Sequence, residues 1–176
     1  TISVSCARFI FIHNIGRCGS TLRHKALNQS EKVISLSEPD VLGQIRYLRA
    51  MDGSRDTHLI PLIQSSLPWL FKNTNYGESK VGIIKLRHQC IDDIDVFWRA
   101  FPDAQHLFLY RSAEGWVRSM YELGLRWNSP IEIELTEVQS MLEKCQNRSV
   151  SLNDFGLKNL PQKISLAEHY TIHWLM

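Results

Sequence analysis

Two rhythms of apolar residues alternate along residues 8–125. Short, almost continuously apolar runs at 8–13, 32–36, 80–86 and 105–110 predict strands covered on both faces. Between them the spacing becomes helical. Residues 20–29 have helix-forming composition, and Val41, Leu42, Ile45 and Leu48 mark a helix that opens near Asp40. Residues 57–72 predict another, broken or kinked by Pro61 and Pro68. Ile91, Ile94, Phe97, Trp98 and Phe101 mark the next, and Ala113, Trp116, Val117, Met120 and Leu123 the one after. Beyond Pro130 the pattern reads as all-helical, with Leu135, Val138, Met141, Leu142 and Cys145 in register. Residues 147–163 are the most loop-like. The last ten predict an amphipathic helix with Ala167, Tyr170, Thr171 and Trp174 on one face. The five tryptophans sit mostly at core-like spacing.

Strands alternating with helices predict an α/β fold with a mostly parallel sheet, helices on both faces and a helical C-terminal part. In such sheets ligands bind beyond the carboxyl ends of the strands. With 176 residues, 44% hydrophobic and 22% charged, the chain is expected to form one globular domain spanning 1–176. It has no initiator Met and stops in mid-helix, so a C-terminally truncated piece of a longer protein is expected. Twenty basic against eighteen acidic residues leave +2, too balanced for nucleic-acid binding by bulk charge. No apolar run is long enough to span a bilayer. The four cysteines form no CxxC pair, which favours a reducing, cytoplasmic setting over a zinc ribbon or a disulfide framework.

The chemistry concentrates at two turns. After the first strand, Gly16-Arg17-Cys18-Gly19-Ser20-Thr21 leads into a helix N-terminus, where free N–H groups and the helix dipole favour an anion such as phosphate or sulfate. Arg17 adds a cation, and Ser20 and Thr21 add hydroxyls. Residues 1–29 hold Arg8, Arg17, Arg23 and Lys25 and no acid. The plainer alternative is a tight βα turn with a Ser/Thr cap. An ATP-type loop requires GxxxxGK[ST], and its Lys is missing here. Cys18 at a helix N-terminus suits a thiol nucleophile. Its four-residue separation from Arg23 fails the cysteine-phosphatase spacing and suits a rhodanese-like sulfur carrier. After the fourth strand come Arg111 and, eight residues later, Ser119. In a parallel sheet they are expected at the same edge as the first turn. His169 and His173 have metal-ligand spacing, but Tyr170 stands where a zincin would have Glu.

Arg17-Cys18-Gly19-Ser20-Thr21 resembles the 5′-phosphosulfate loop of the PAPS-dependent sulfotransferases, PAPS being 3′-phosphoadenosine 5′-phosphosulfate. LFLYR…VRSMY, from Leu107 to Tyr121, resembles that family's 3′-phosphate motif, and the Phe-Pro-Asp lead-in at 101–103 matches its style. The resemblance covers residues 8–125 and implies a P-loop-type three-layer sandwich. It also implies transfer of a sulfuryl group from PAPS to a small-molecule or carbohydrate acceptor. Carried over by motif, the backbone from Arg17 to Leu22, with Cys18, Gly19, Ser20 and Thr21, holds the 5′-phosphosulfate. Arg111 and Ser119 hold the 3′-phosphate. No metal is expected, because PAPS carries less phosphate charge than ATP. Cys18 departs from the family's usual Ser, and the family's later Gly-rich adenosine-contacting segment is not visible. Glu38 in LSEPD resembles the catalytic base of carbohydrate and bacterial members. Lys85 and His88 resemble the Lys-x-His of the soluble enzymes, with His one residue late. A catalytically silent nucleotide- or protein-binding relative is the alternative of another class.

Overall fold

The structure, a computed structural model, describes residues 8–49, 53–71, 81–138, 140 and 161–175, with side chains through 172 in the last stretch. The chain divides into two compact units, Thr1–Tyr110 and Arg111–Met176.

The first unit is an α/β fold with a four-strand parallel sheet flanked by helices. Its strands are β1 (Arg8–Asn14), β2 (Val33–Ser37), β3 (Val81–Lys85) and β4 (Gln105–Leu109), in the order β2-β3-β1-β4. Each lies within one or two residues of its predicted run. Parallel strands need long crossovers, and the chain supplies helices for them. They are α1 (Ser20–Leu27), two short turns α2 (Asp40–Gly43) and α3 (Ile45–Leu48), α4 (Asp56–Phe71) and α5 (Ile94–Ala100). Helix α4 runs through both Pro61 and Pro68 rather than breaking. Leu59, Ile63, Leu67 and Phe71, one turn apart, are all buried, and their shared face outweighs the two missing N–H donors. They pack with Phe11, Leu42, Ile84 and Phe97 into one core. Each such side chain contributes about 1.5–3 kcal/mol by leaving water.

Three expectations need correction here. The helix predicted from Ile91 begins only at Ile94, because a 3-10 turn, His88–Asp93, precedes it. The stretch predicted as one helix from Val41 is the two turns α2 and α3. Trp69, Trp98 and Trp127 are 66%, 60% and 72% exposed, so their helical spacing places them on solvent faces; Trp116 alone of the described four is buried. A partly buried ion cluster ties α3, α4 and α5 together. Arg49 donates to Asp56 (3.0 Å), Asp93 (3.3 Å) and Asp95 (2.7 Å), and Arg99 pairs with Asp56.

The second unit holds α6 (Ala113–Arg126), β5 (Glu132–Glu134), β6 (Lys163–Ser165) and α7 (Leu166–Leu175). The region after Pro130 is therefore not all-helical. Glu132–Glu134 pairs antiparallel with Lys163–Ser165, Ile133 facing Ile164, and both isoleucines are buried. Residues 135–138 are helical, with Val138 buried; Met141, Leu142 and Cys145 lie outside the described residues. Helix α7 starts with a reciprocal capping box. Glu168 Oε2 accepts from the Ser165 N–H and hydroxyl (both 2.8 Å), and Glu168 N–H donates to Ser165 Oγ (3.2 Å). Its buried side chains are Leu166, Tyr170 and Ile172, whereas Thr171 is exposed, against expectation. Tyr170 packs edge-on to Trp116 of α6, centroids 6.3 Å apart. The side chains of His173 and Trp174 lie outside the described residues. Among the described residues no helix is long and apolar enough to cross a membrane.

Candidate functional site

The carboxyl ends of β1, β2 and β3 lie at one edge, since Ile12 and Ser37 both pair with Lys85. Strand β1 is central, and the strand order reverses around β1 and β3, where open α/β sheets bind ligands. Asn14 ends β1 and builds the turn beyond it. Its buried side chain donates through Nδ2 to the Leu86 carbonyl (2.8 Å) and accepts through Oδ1 from the Gly16 N–H (3.0 Å). The first bond ties the turn to the end of β3, and the second is an Asx turn.

The backbone then enters the left-handed region three times, at Gly16 (φ 76°), Arg17 (φ 50°) and Gly19 (φ 81°). Glycine adopts this conformation without steric cost; arginine does not. A β-carbon on Gly19 would meet nothing within 4 Å among the described residues, so open space lies beside it. Gly19 is the N-cap of α1 and offers no side-chain cap, and the first turn of α1 carries no acid. The amides that open this helix keep their outward polarity. Arg17, Thr21 and Leu22 are exposed, Cys18 is half-buried, and Ser20 is buried.

His88 packs on this turn: a β-carbon on Gly16 would stand 3.5 Å from His88 Cγ. Burial holds the His88 imidazole below its usual pKa, assisted by Arg46, Lys85 and Arg87 and opposed by the Glu38 carboxylate. It is therefore neutral near pH 7, the form that accepts a proton. Glu38 follows β2 in the left-handed region (φ 53°). Two contacts hold it there: its N–H donates to the Lys85 carbonyl (2.7 Å), and its Oε1 pairs with Lys85 Nζ. Lys85 is 2% exposed, so its ammonium depends on that carboxylate as a counter-charge. Backbone strain that is held by its surroundings is a common mark of functional positions. The structure thus brings Gly16, Arg17, Glu38, Lys85 and His88 to one strand edge.

Two further side chains steady this edge. His24 of α1 shares a 2.7 Å hydrogen bond with Ser35 of β2; burial lowers its pKa, and the Lys85 cation adds to the effect. His13, one residue before Asn14, is buried, bonds His106 of β4 through Nε2 (2.9 Å) and is pushed down to about 4 by burial and by His106.

No family model and no curated protein matches this chain.

Arg111 and Ser119 belong to the second unit. Ser112 caps α6 by accepting from the Gly115 N–H through Oγ (3.3 Å). The Arg111 side chain lies against Gly115, where a β-carbon would stand 2.7 Å from Arg111 Nε. Ser119 follows Gly115 by one helical turn, on the same face. Arg111 precedes α6 and lies against the helix at Gly115. Asn14, His13 and Gly115 were not singled out from the sequence. The signal for Asn14 was its position two residues before Gly16 in a strand-to-helix turn. Among the described residues no group of three or more His, Cys, Asp or Glu is arranged to hold a metal. A separate cavity of about 450 Å³, lined by Phe9, Leu67, Pro68, Phe101 and Ala104 among others, opens near the start of β1, away from this edge.

Proposed function

We propose that the chain is a P-loop-type sulfotransferase, a three-layer α/β sandwich working in a cytoplasmic setting. It transfers the sulfuryl group of PAPS to a hydroxyl or amine of a small-molecule or carbohydrate acceptor. The observation that carries this reading is the turn after β1: Gly16, Arg17 and Gly19 in left-handed backbone, opening a helix whose first turn has neither an acid nor a side-chain cap. Such a turn suits a tetrahedral oxyanion, and the absence of a Lys after Gly19 disfavours a triphosphate. On this reading the amides from Arg17 to Leu22 and the Ser20 and Thr21 hydroxyls bind the 5′-phosphosulfate. Arg111 and Ser119 bind the 3′-phosphate.

PAPS supplies the sulfur–oxygen bond that breaks. Arg17 and the loop amides stabilise the charge that builds on the 5′-phosphate oxygen as it keeps the electron pair of that bond. The acceptor oxygen forms the new bond to sulfur, and its proton goes to Glu38. Lys85 holds Oε1, which leaves Oε2 to take the proton, and the neutral imidazole of His88 is the second base on the same edge. Titration calorimetry with 3′-phosphoadenosine 5′-phosphate and with adenosine 5′-phosphate tests the nucleotide assignment. The bisphosphate is expected to bind tighter, and Arg111→Ala to weaken it about 10- to 100-fold while barely changing the monophosphate. Equal losses for the two ligands would remove the 3′-phosphate site.

A further inference from the structure

The cavity near the start of β1 lies wholly within the first unit and takes no part in the proposed chemistry. Its volume of about 450 Å³ is that of a small-molecule site. Polarity changes with depth along its wall. Leu67, 1% exposed, forms the floor. Phe9, Pro68 and Phe101 are half-buried and form the sides, and the exposed Gln64 and Asp103 stand at the mouth. The aromatic side is built in advance. The Phe9 ring packs on Phe71 (centroids 5.6 Å apart) and edge-on to Phe101 (6.0 Å). It also lies so close over Gly82 that a β-carbon there would stand 2.9 Å from it. Gln64 is oriented by donating through Nε2 to the Ala100 carbonyl (2.8 Å), which leaves Oε1 as an acceptor. Among the described residues the Asp103 carboxylate has no ion-pair or hydrogen-bond partner, and no basic side chain lines the cavity.

An apolar floor, aromatic sides and a carboxylate at the mouth match a ligand with a flat apolar body and a cationic end. We propose that this cavity binds an organic amine of bicyclic size, its ring against Phe9 and Phe101 and its ammonium on the Asp103 carboxylate. Aromatic rings favour both parts, the body by contact and the cation by its attraction to the ring face. Gln64 Oε1 accepts a second ammonium proton. A neutral ligand of the same shape keeps only the apolar contact, and an anion meets the unpaired carboxylate and is repelled. Because Asp103 is exposed, its charge is worth a several-fold preference and no more. Phe9 and the Phe101–Ala104 turn lie at the amino ends of β1 and β4, whereas Glu38 and Lys85 lie at the carboxyl ends of β2 and β3. The inference is therefore independent of the sulfotransferase reading.

The whole chain, isotope-labelled in its amide nitrogens, is titrated with tryptamine, tryptophol and indole-3-propanoate while its NMR spectrum is followed. The three share one ring and carry a cation, a hydroxyl and an anion. Tryptamine is expected to bind saturably, with a Kd on the order of 1 mM, and to shift the amides of Gln64, Leu67, Phe101, Asp103 and Ala104. It should bind about fivefold tighter than tryptophol, and indole-3-propanoate more weakly than both. Asp103→Asn, at an exposed turn, should keep the melting temperature, bring tryptamine to the level of tryptophol and leave tryptophol unchanged. Ala104→Leu, which narrows the cavity, should weaken all three. Equal affinity for the three ligands, or a preference for tryptamine that survives Asp103→Asn, would overturn the proposal. So would shifts confined to other residues, or no saturable shift by about 10 mM. A chain that transfers nothing from PAPS leaves each of these outcomes as it stands.

Discussion

The two strand-to-helix turns that carry the candidate chemistry are built on opposite plans. After β1, glycines bend the backbone into the left-handed region and no side chain caps α1; the groups proposed for the anion there are mainly main-chain amides. After β4, Ser112 already occupies the Gly115 amide, and the groups proposed for the anion are side chains, Arg111 and Ser119. Glycine serves both, in the first by its freedom at φ 76° and 81°, in the second by the space it leaves under Arg111. A backbone cradle is rigid and grips charge as it develops, which suits a reacting group. A side-chain fork is better at recognition. Glu38, Lys85 and His88 join the first turn, and the proposed chemistry lies there, with recognition assigned to the second.

Glu38→Gln sharpens this division most. Turnover should fall about 10²- to 10⁴-fold with nucleotide affinity kept, as for loss of a general base. The same change strands the buried Lys85 ammonium. Stability should drop by about 2 kcal/mol, less than for a fully buried pair because Glu38 is half-exposed, and Lys85→Met in the same chain should restore stability without restoring turnover. Steady-state kinetics and urea melts on the two variants separate the roles; a turnover that follows stability would mean that Glu38 is only a structural partner.

Acid should disturb the first turn by a similar energy. His13 titrates at about 4 in the folded protein and near 6.5 when unfolded, so the unfolded chain binds the extra proton between those values. The stabilisation is complete above pH 6.5 and is lost as pH falls toward 4, a change on the order of 3 kcal/mol. His106, also lowered by burial, acts in the same direction. Hydrogen exchange of the β1 amides at pH 7 and pH 5 should show the loss, and His13→Asn should flatten it. Equal protection at both pH values would contradict the burial argument.

The smallest effects contrast the two supports. Asn14→Ala removes one buried and one partly buried hydrogen bond and should cost about 1–3 kcal/mol, together with affinity for the 5′-phosphate end. Ser112→Ala removes one cap and should cost about 1 kcal/mol. Thermal melts and calorimetry with inorganic sulfate compare them directly. A larger loss from Ser112→Ala would reverse the assignment of backbone and side-chain plans.

Much of the first unit was legible because its strands are long, apolar and separated by helical spacing. The Gly16–Thr21 turn was legible because a buried run, two glycines and a helix start follow one another. What was missed depends on partners distant in sequence. Glu132–Glu134 is three residues long, and its strand character comes from Lys163–Ser165, about thirty residues on, which no local pattern reveals. Trp98 follows Phe97 in the same apolar run, yet its ring lies outside, stacked on His106. Ser165 and Glu168 did carry a readable signal, since Ser-x-x-Glu before an apolar run is a capping box. The pairing of Glu38 with Lys85 needed the register of β2 against β3, which puts Ser37 opposite Lys85.

The most direct test of the central claim is transfer itself. The whole chain is incubated with PAPS labelled in its sulfur and a crude metabolite extract, and labelled products are separated from released sulfate. Label is expected in an acceptor, with one 3′-phosphoadenosine 5′-phosphate formed per transfer and with the signal lost in Arg17→Ala. Label that remains in PAPS, or leaves only as inorganic sulfate at the rate of a protein-free control, would contradict the account.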